Sequence, residues 1–130
     1  MIENIEVSYW QKLLMAAGAF SLFIAICAGS FGAHYLKGSL SEKSLETFEI
    51  GIKYQFYQSI SIMVIALSMS IFPSSFIKIS GILMLLGVIV FSGSLYMLTF
   101  TGIKLWGAVT PIGGVTFLIA WMLFIIGIFM

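Results

Sequence analysis

Along the chain, long apolar runs alternate with short polar ones. Four runs are each about twenty residues long: Leu13 to Ala33, Tyr54 to Phe72, Ile79 to Leu98, and Pro111 to Met130. A helix rises about 1.5 Å per residue and the hydrocarbon core of a bilayer is about 30 Å thick, so each run is long enough to cross it. Helix is the expected state, because a spanning segment must satisfy its backbone hydrogen bonds internally. The runs are too continuous for the alternation of a membrane β-barrel strand. Pro73, Ser74 and Ser75 end the second run. The stretch 34–53 has a period of its own. Ser39-x-x-Glu42 reads as a capping box that opens a helix. Leu45, Phe48 and Ile52 then share one face, and Glu42, Glu46, Glu49 and Lys53 share the other. This predicts a short amphipathic helix over about 41–53, lying at the interface and running into the second span with a bend at Gly51. The expected fold is an all-α integral membrane protein: one domain over 1–130, with four transmembrane helices in a bundle and an interfacial helix between the first and second.

Composition supports the membrane reading. Of the 130 residues, 61% are hydrophobic and 8% are charged, with a mean hydropathy of +1.14. Soluble domains carry roughly 25% charged residues. A chain this poor in charge cannot build a water-compatible surface, which argues against a soluble enzyme. The net charge of +1 argues against a nucleic-acid partner, which needs a basic face. Cys27 is the single cysteine and His34 the single histidine, so neither an internal disulfide nor a haem held by two histidines of one chain is available. No metal and no cofactor are expected. The first run has the wrong leader for a signal peptide, since Glu3 and Glu6 oppose a single Lys12, and it reads as a retained helix.

Four spans put both termini on one side, here side A, together with the 73–78 turn. Side B holds the connections 34–53 and 99–110. Side B carries Lys37, Lys43, Lys53 and Lys104; side A carries Lys12 and Lys78. The positive-inside rule then places side B in the cytoplasm and the termini outside, in a bacterial plasma membrane crossed several times.

Two stripes of small residues suggest where helices approach each other. Ala17, Ser21, Ala25, Gly29 and Ala33 recur every fourth residue in the first span; Ser80, Gly87, Ser94 and Thr101 recur every seventh in the third. Either the stripes close the bundle or one of them makes a homo-oligomer.

Polar groups inside a membrane are expensive, so their placement is informative. Ser30 and His34 end the first span, Tyr54, Gln55, Tyr57 and Gln58 open the second, and Ser92, Ser94, Tyr96 and Thr99 lie in the last turns of the third. Thr110 reads as the N-cap of the fourth helix, with Pro111 at its first position and Gly113 and Gly114 leaving backbone open to close approach. All converge on side B, which suggests a shared hydrogen-bond network or a shallow site. The plainer reading is helix glue and a belt of interfacial aromatics. Ser92 and Ser94 are two apart and cannot face one cavity. With no carboxylate near His34 in sequence, a Ser–His hydrolase lacks its third member.

The segments "AGSFGAH", "KYQFYQS", "FSGSLYMLTFTGIK" and "GAVTPIGGVTFLIAW" together resemble the domain of unknown function 423 family, small membrane proteins widespread in bacteria with relatives in eukaryotes. The resemblance runs from about Leu13 to Trp121. It implies a multi-pass membrane protein and brings no agreed biochemical function. Such proteins commonly carry a histidine where Gln58 stands, a departure that favours a structural role for the position. The leading expectation is a non-enzymatic bundle that binds a lipid or a membrane-protein partner through side B. Its alternative is a small oligomeric transporter or channel for an uncharged or apolar solute. A lipid-modifying enzyme using His34 ranks third.

Overall fold

The computed structural model describes residues 6–130; the first five residues, and the side chain of Ala33 in the small-residue stripe, lie outside the described set. The described chain is helical from Tyr9 to Phe129, apart from three short turns. Helix α1 (Tyr9–Cys27) starts where the Ser8 hydroxyl accepts the Gln11 N–H at 3.1 Å. At Ala28–Gly32 it widens into a π-helical segment and then tightens into α2 (Ala33–Leu36). The widening falls on Gly29 and Gly32, residues of low helix propensity. They stand over Ile52 and Phe48 of the next helix.

Three backbone N–H groups, of Gly38, Ser39 and Leu40, converge on the Leu36 carbonyl and reverse the chain. Helix α3 (Glu42–Ser68) follows. Its cap is Ser41, which accepts the Ser44 N–H at 3.1 Å, and not Ser39, which is held in the turn. The expected interfacial helix is no separate element. Residues 42–53 form the first three turns of α3, which runs through Gly51 unbroken because the Tyr96 ring packs against that position.

After the Pro73 turn, α4 (Ser75–Thr101) is capped by Ser74 and stopped by Gly102, whose φ of 70° is the left-handed conformation that ends helices. Helix α5 (Leu105–Phe129) then begins after two further residues. This corrects the expected start. Thr110 is not an N-cap and Pro111 is not at the first helical position; both lie inside α5. Pro111 leaves the Gly107 carbonyl without its helical donor. The helix persists because Thr110 and Gly113 are locked against α4, at the contacts described next.

The helices pack in chain order, each antiparallel to the one before: α1 on α3, α3 on α4, α4 on α5, with α1 touching α4 lightly. The α4–α5 pair keeps one register along its length. Ile77 meets Gly127, Gly87 meets Phe117, Phe91 meets Gly113, and Ser94 meets Thr110 at 2.6 Å. Each step along α4 is matched by an equal step back along α5. Small residues carry this contact on both sides: Gly87 and Ser94 on α4, and Gly113, Ala120 and Gly127 on α5, the second series again at intervals of seven. In lipid, where burial of apolar surface gives no drive to associate, such close approach supplies the dispersion contacts that hold helices together. On α1 the stripe faces α3 through buried Ser21 and Ala25, while Ala17 is half-buried and Gly29 exposed. Ser80 is fully buried and turns its hydroxyl to the Ile77 carbonyl.

The apolar core lies toward side A, around Leu14, Ile62, Ile65, Ala66, Ile77 and Met84. Three helical stretches, Tyr9–Leu36, Ser75–Thr101 and Leu105–Phe129, are long and apolar enough to cross a membrane. Helix α3 is not one of them, because Lys53, Gln55, Gln58 and its tyrosines and serines lower the apolarity of its second half.

The α4–α5 contact is open to test. A methyl at Gly113 would stand 2.6 Å from the Phe91 backbone nitrogen, which has nowhere to go. Gly113→Ala is expected to lower stability by about 1–3 kcal/mol. A methyl at Gly93 meets nothing within 4 Å, and Gly93→Ala is expected to be neutral or stabilising by up to about 1 kcal/mol. Thermal unfolding of the two variants in one detergent checks both.

Candidate functional site

Most of the side-B polar residues are drawn together, in three separate groups. The first is a clasp on three helices. Gln55, nearly fully buried on α3, donates from Nε2 to the Ser21 carbonyl of α1 at 2.9 Å and to the Ser21 hydroxyl at 3.3 Å. Its Oε1 accepts the Tyr96 hydroxyl of α4 at 2.5 Å. Ser59, one turn further along α3, donates to the Ser21 hydroxyl at 2.6 Å. A primary amide has two donors and an acceptor to place, and nearly all of that capacity is used inside the protein. The clasp is internally satisfied, which is the geometry of a structural network. Its outer edge lines a cleft of about 410 Å³ between α1 and α4, otherwise walled by Phe20, Ile24, Leu85 and Ile89.

The second group comprises two hydroxyl clamps. Ser92 donates to the Gly51 carbonyl of α3 at 2.7 Å, and Ser94 bonds to Thr110 of α5 at 2.6 Å. The two serines therefore serve opposite neighbours, as their spacing requires. Thr110 also returns a bond to the Trp106 carbonyl at 3.2 Å.

The third group is different in kind. Tyr54 and Gln58 of α3, Phe91 of α4, and Pro111, Gly114, Phe117 and Trp121 of α5 line an open cleft of about 440 Å³. Its floor is the Phe91 ring, flanked by Tyr54 at 4.9 Å and Phe117 at 5.4 Å between ring centroids. Gly114 keeps the α5 wall low: a methyl there would sit 3.9 Å from the Phe91 ring. Gln58 lines this cleft, and its Oε1 is buried with no hydrogen-bond partner. A buried carbonyl oxygen without a donor costs about 1–3 kcal/mol. Gln58 is thus the one polar group here whose need the described residues do not meet.

Ser30 and His34 stand apart from all three groups. Both are exposed, and His34 packs edge-on against Tyr35. Gly113 is buried against α4 and does not open onto the cleft. Among the described residues no group of three His, Cys, Asp or Glu side chains is close enough to share a metal ion.

Several polar anchors escape a reading of the sequence. Gln11, close to the start of α1 on side A, is 5% exposed. It donates to the Ala66 carbonyl at 2.8 Å and the Ser70 hydroxyl at 2.7 Å, tying the start of α1 to the end of α3. Ser59 is hidden in an apolar run. The signal for Gln11 is its amide at the edge of an apolar run, where a polar group must find a partner on another helix.

Comparison with known proteins places the chain. The profile of the family described as "Protein of unknown function (DUF423)" matches residues 28–114. A UPF0382 membrane protein of Staphylococcus haemolyticus is 40% identical over 119 residues, covering 92% of this chain and 97% of the relative. YwdK, a UPF0382 membrane protein of Bacillus subtilis, is 36% identical over 117 residues, covering 89% and 95%. YgdD, a UPF0382 inner membrane protein of Escherichia coli, is 34% identical over 117 residues, covering 90% and 89%. No solved structure matches. With that coverage, three helices long enough to cross a bilayer and no strand among the described residues, the chain belongs to the DUF423 (UPF0382) family of membrane proteins.

Proposed function

We propose that this protein is a non-enzymatic, four-span membrane protein of the bacterial plasma membrane that holds a lipid in the cleft between α3 and α5. The observation that carries the reading is the unpartnered Gln58 Oε1 at an aromatic-lined cleft of about 440 Å³. A cleft of this size, apolar with one placed polar group, suits a small amphipathic ligand. An orphan acceptor asks for a donor, so the favoured occupant is a lipid whose headgroup carries an N–H or O–H.

The depth of the cleft supports a lipid. The four apolar runs, 13–33, 54–72, 79–98 and 111–130, are nearly equal in length, each close to what the hydrocarbon core requires at about 1.5 Å per helical residue. Tyr54 and Pro111 open their runs at the side-B end, Gln58 lies one turn further in and Phe91 about two turns from the end of its run, so the cleft reaches from headgroup level down among the acyl chains. In this reading α3 crosses from Tyr54 onward as the fourth span, antiparallel to both α1 and α4. Its first three turns, with Glu42, Glu46, Glu49 and Lys53 exposed, rise into the side-B interface, held by Phe48 against Tyr96 and Phe100.

A transporter draws less support. The side-B clasp and the Gln11 anchor are separated by Leu14, Ile62 and Ile65, each at most 2% exposed, so no polar path joins the two sides among the described residues. For an enzyme using His34, the described residues offer that ring no hydroxyl or carboxylate partner.

Two outcomes follow. Gln58→Leu removes the orphan oxygen, so it is expected to raise thermal stability in lipid-free detergent by about 1 kcal/mol or more while weakening lipid retention roughly ten-fold. Native mass spectrometry from a mild detergent, with phosphatidylethanolamine as donor lipid and phosphatidylcholine as a donor-free control, measures the second effect. Equal retention of both lipids by the unaltered protein would overturn the reading. For orientation, the lysine distribution favours side B in the cytoplasm. A C-terminal alkaline phosphatase fusion is therefore expected to be active and a C-terminal green fluorescent protein fusion dark; the reverse pattern refutes the assignment.

A further inference from the structure

A second concavity lies at the side-B rim, where the start of α3 meets the α4–α5 turn. It has a volume of about 330 Å³ and is lined by Lys43, Ser44 and Thr47 of α3 and by Thr99, Gly102 and Lys104 around the turn. Two cations reach it from elements far apart in sequence. Three hydroxyls line it, and Thr99 is buried. The left-handed Gly102 bends the chain sharply here and carries no side chain that would narrow the concavity. Lys43 and Lys104 thus bring two ammonium groups to one concavity, with Glu46 three residues after Lys43 on the same helix.

We infer that this concavity is a binding site for the phosphate of an anionic phospholipid headgroup, held by Lys43 and Lys104 with the Ser44 hydroxyl as a donor; Thr47 and Thr99 line it with hydroxyls that donate to the Lys43 and Leu95 carbonyls. Two ammonium groups and an O–H donor fit a phosphate diester. Its surroundings identify the source as a lipid. Leu98 lines the site, and Phe100, Ile103 and Leu105, each next in sequence to a lining residue, are 57%, 53% and 72% exposed. A pocket for soluble phosphate has no use for such a rim; a headgroup at the membrane surface brings acyl chains that cover it. Basic pockets between helices at the cytoplasmic face bind anionic headgroups by this arrangement. The site shares no residue with the Gln58 cleft and does not depend on it.

The test uses the full-length protein in mild detergent with equimolar phosphatidylglycerol and phosphatidylethanolamine, which both carry a headgroup donor and differ in net charge, read by native mass spectrometry. The unaltered protein is expected to retain phosphatidylglycerol preferentially. Each lysine near a charged headgroup is worth about five-fold in affinity, so K43Q/K104Q is expected to cut that preference by roughly 20-fold. K43R/K104R keeps it, and K78Q, on side A where Lys78 lies over the Trp10 ring, leaves it intact. Gln58→Leu acts on two donor-bearing headgroups alike and so does not change their ratio, which separates failure of this site from failure of the cleft. No preference in the unaltered protein, a preference unchanged in K43Q/K104Q, or an equal loss in K78Q would each overturn the proposal. Inorganic phosphate at millimolar concentration tests the other source: full displacement of phosphatidylglycerol would mark a soluble-anion site and refute the lipid assignment.

Discussion

A primary amide placed among hydrocarbon must find partners inside the protein, and Gln55 finds them on two different helices at once. Its donor end is fixed by Ser21 on α1 and its acceptor end by Tyr96 on α4. Since α3 carries the amide, one side chain sets the mutual position of three helices. The geometry around it follows. Gly51 must be small because the Tyr96 ring passes over it on the way to the amide. Ser92 then reaches the Gly51 carbonyl. The strength of such bonds in lipid is modest, about 1 kcal/mol each, but their directions are strict. They specify which arrangement is adopted more than how strongly it is held.

Attraction comes from contact area, and here glycine and alanine supply it by their smallness. The α4–α5 pair is the extreme case, with Gly87, Gly113 and Gly127 each accepting a bulky partner or a stretch of backbone from the facing helix. The α1–α3 pair combines both devices. Gly18 admits the side chain of Met63 and the Ser59 carbonyl, while Gln11 and Ser21 bond across at either end of the contact. The polar residues thus act as locators and the small residues as the adhesive surface.

The helices, their order and the side on which polar groups gather are legible in the sequence, because a bilayer imposes length and apolarity on any segment that crosses it. What is not legible has one physical cause. The lipid outside is as apolar as the neighbouring helix, so α4 and α5 are apolar all round and no one-sided pattern marks the face that is buried. The heptad of glycine and alanine on α5 is visible as spacing, but spacing alone does not name α4 as its partner. The start of α5 departs from expectation because the commonest place for a helical proline is the first turn, whereas packing of Thr110 and Gly113 on α4 carries the helix past Pro111. Depth alone groups His34 and Ser30 with the cluster; the widened turn at Ala28–Gly32 and the exposed end that follows leave both outside it. Gln58 stands out in the sequence for its position, and its lack of a partner is visible only in three dimensions.

The matched steps of α4 and α5 also have a mechanical meaning. Four close contacts in one register, each a large group seated in a small one or a hydroxyl pair, work like a toothed rack. Sliding one helix along the other by a single residue would drive the Phe117 ring off Gly87 and the Phe91 backbone off Gly113 together. The pair therefore translates and tilts as a rigid body. Helix α1, which meets α4 only lightly, takes its position from α3, to which it is pinned near both ends. Parting it from the α4–α5 pair would mean undoing the Gln11 and Gln55 amides together.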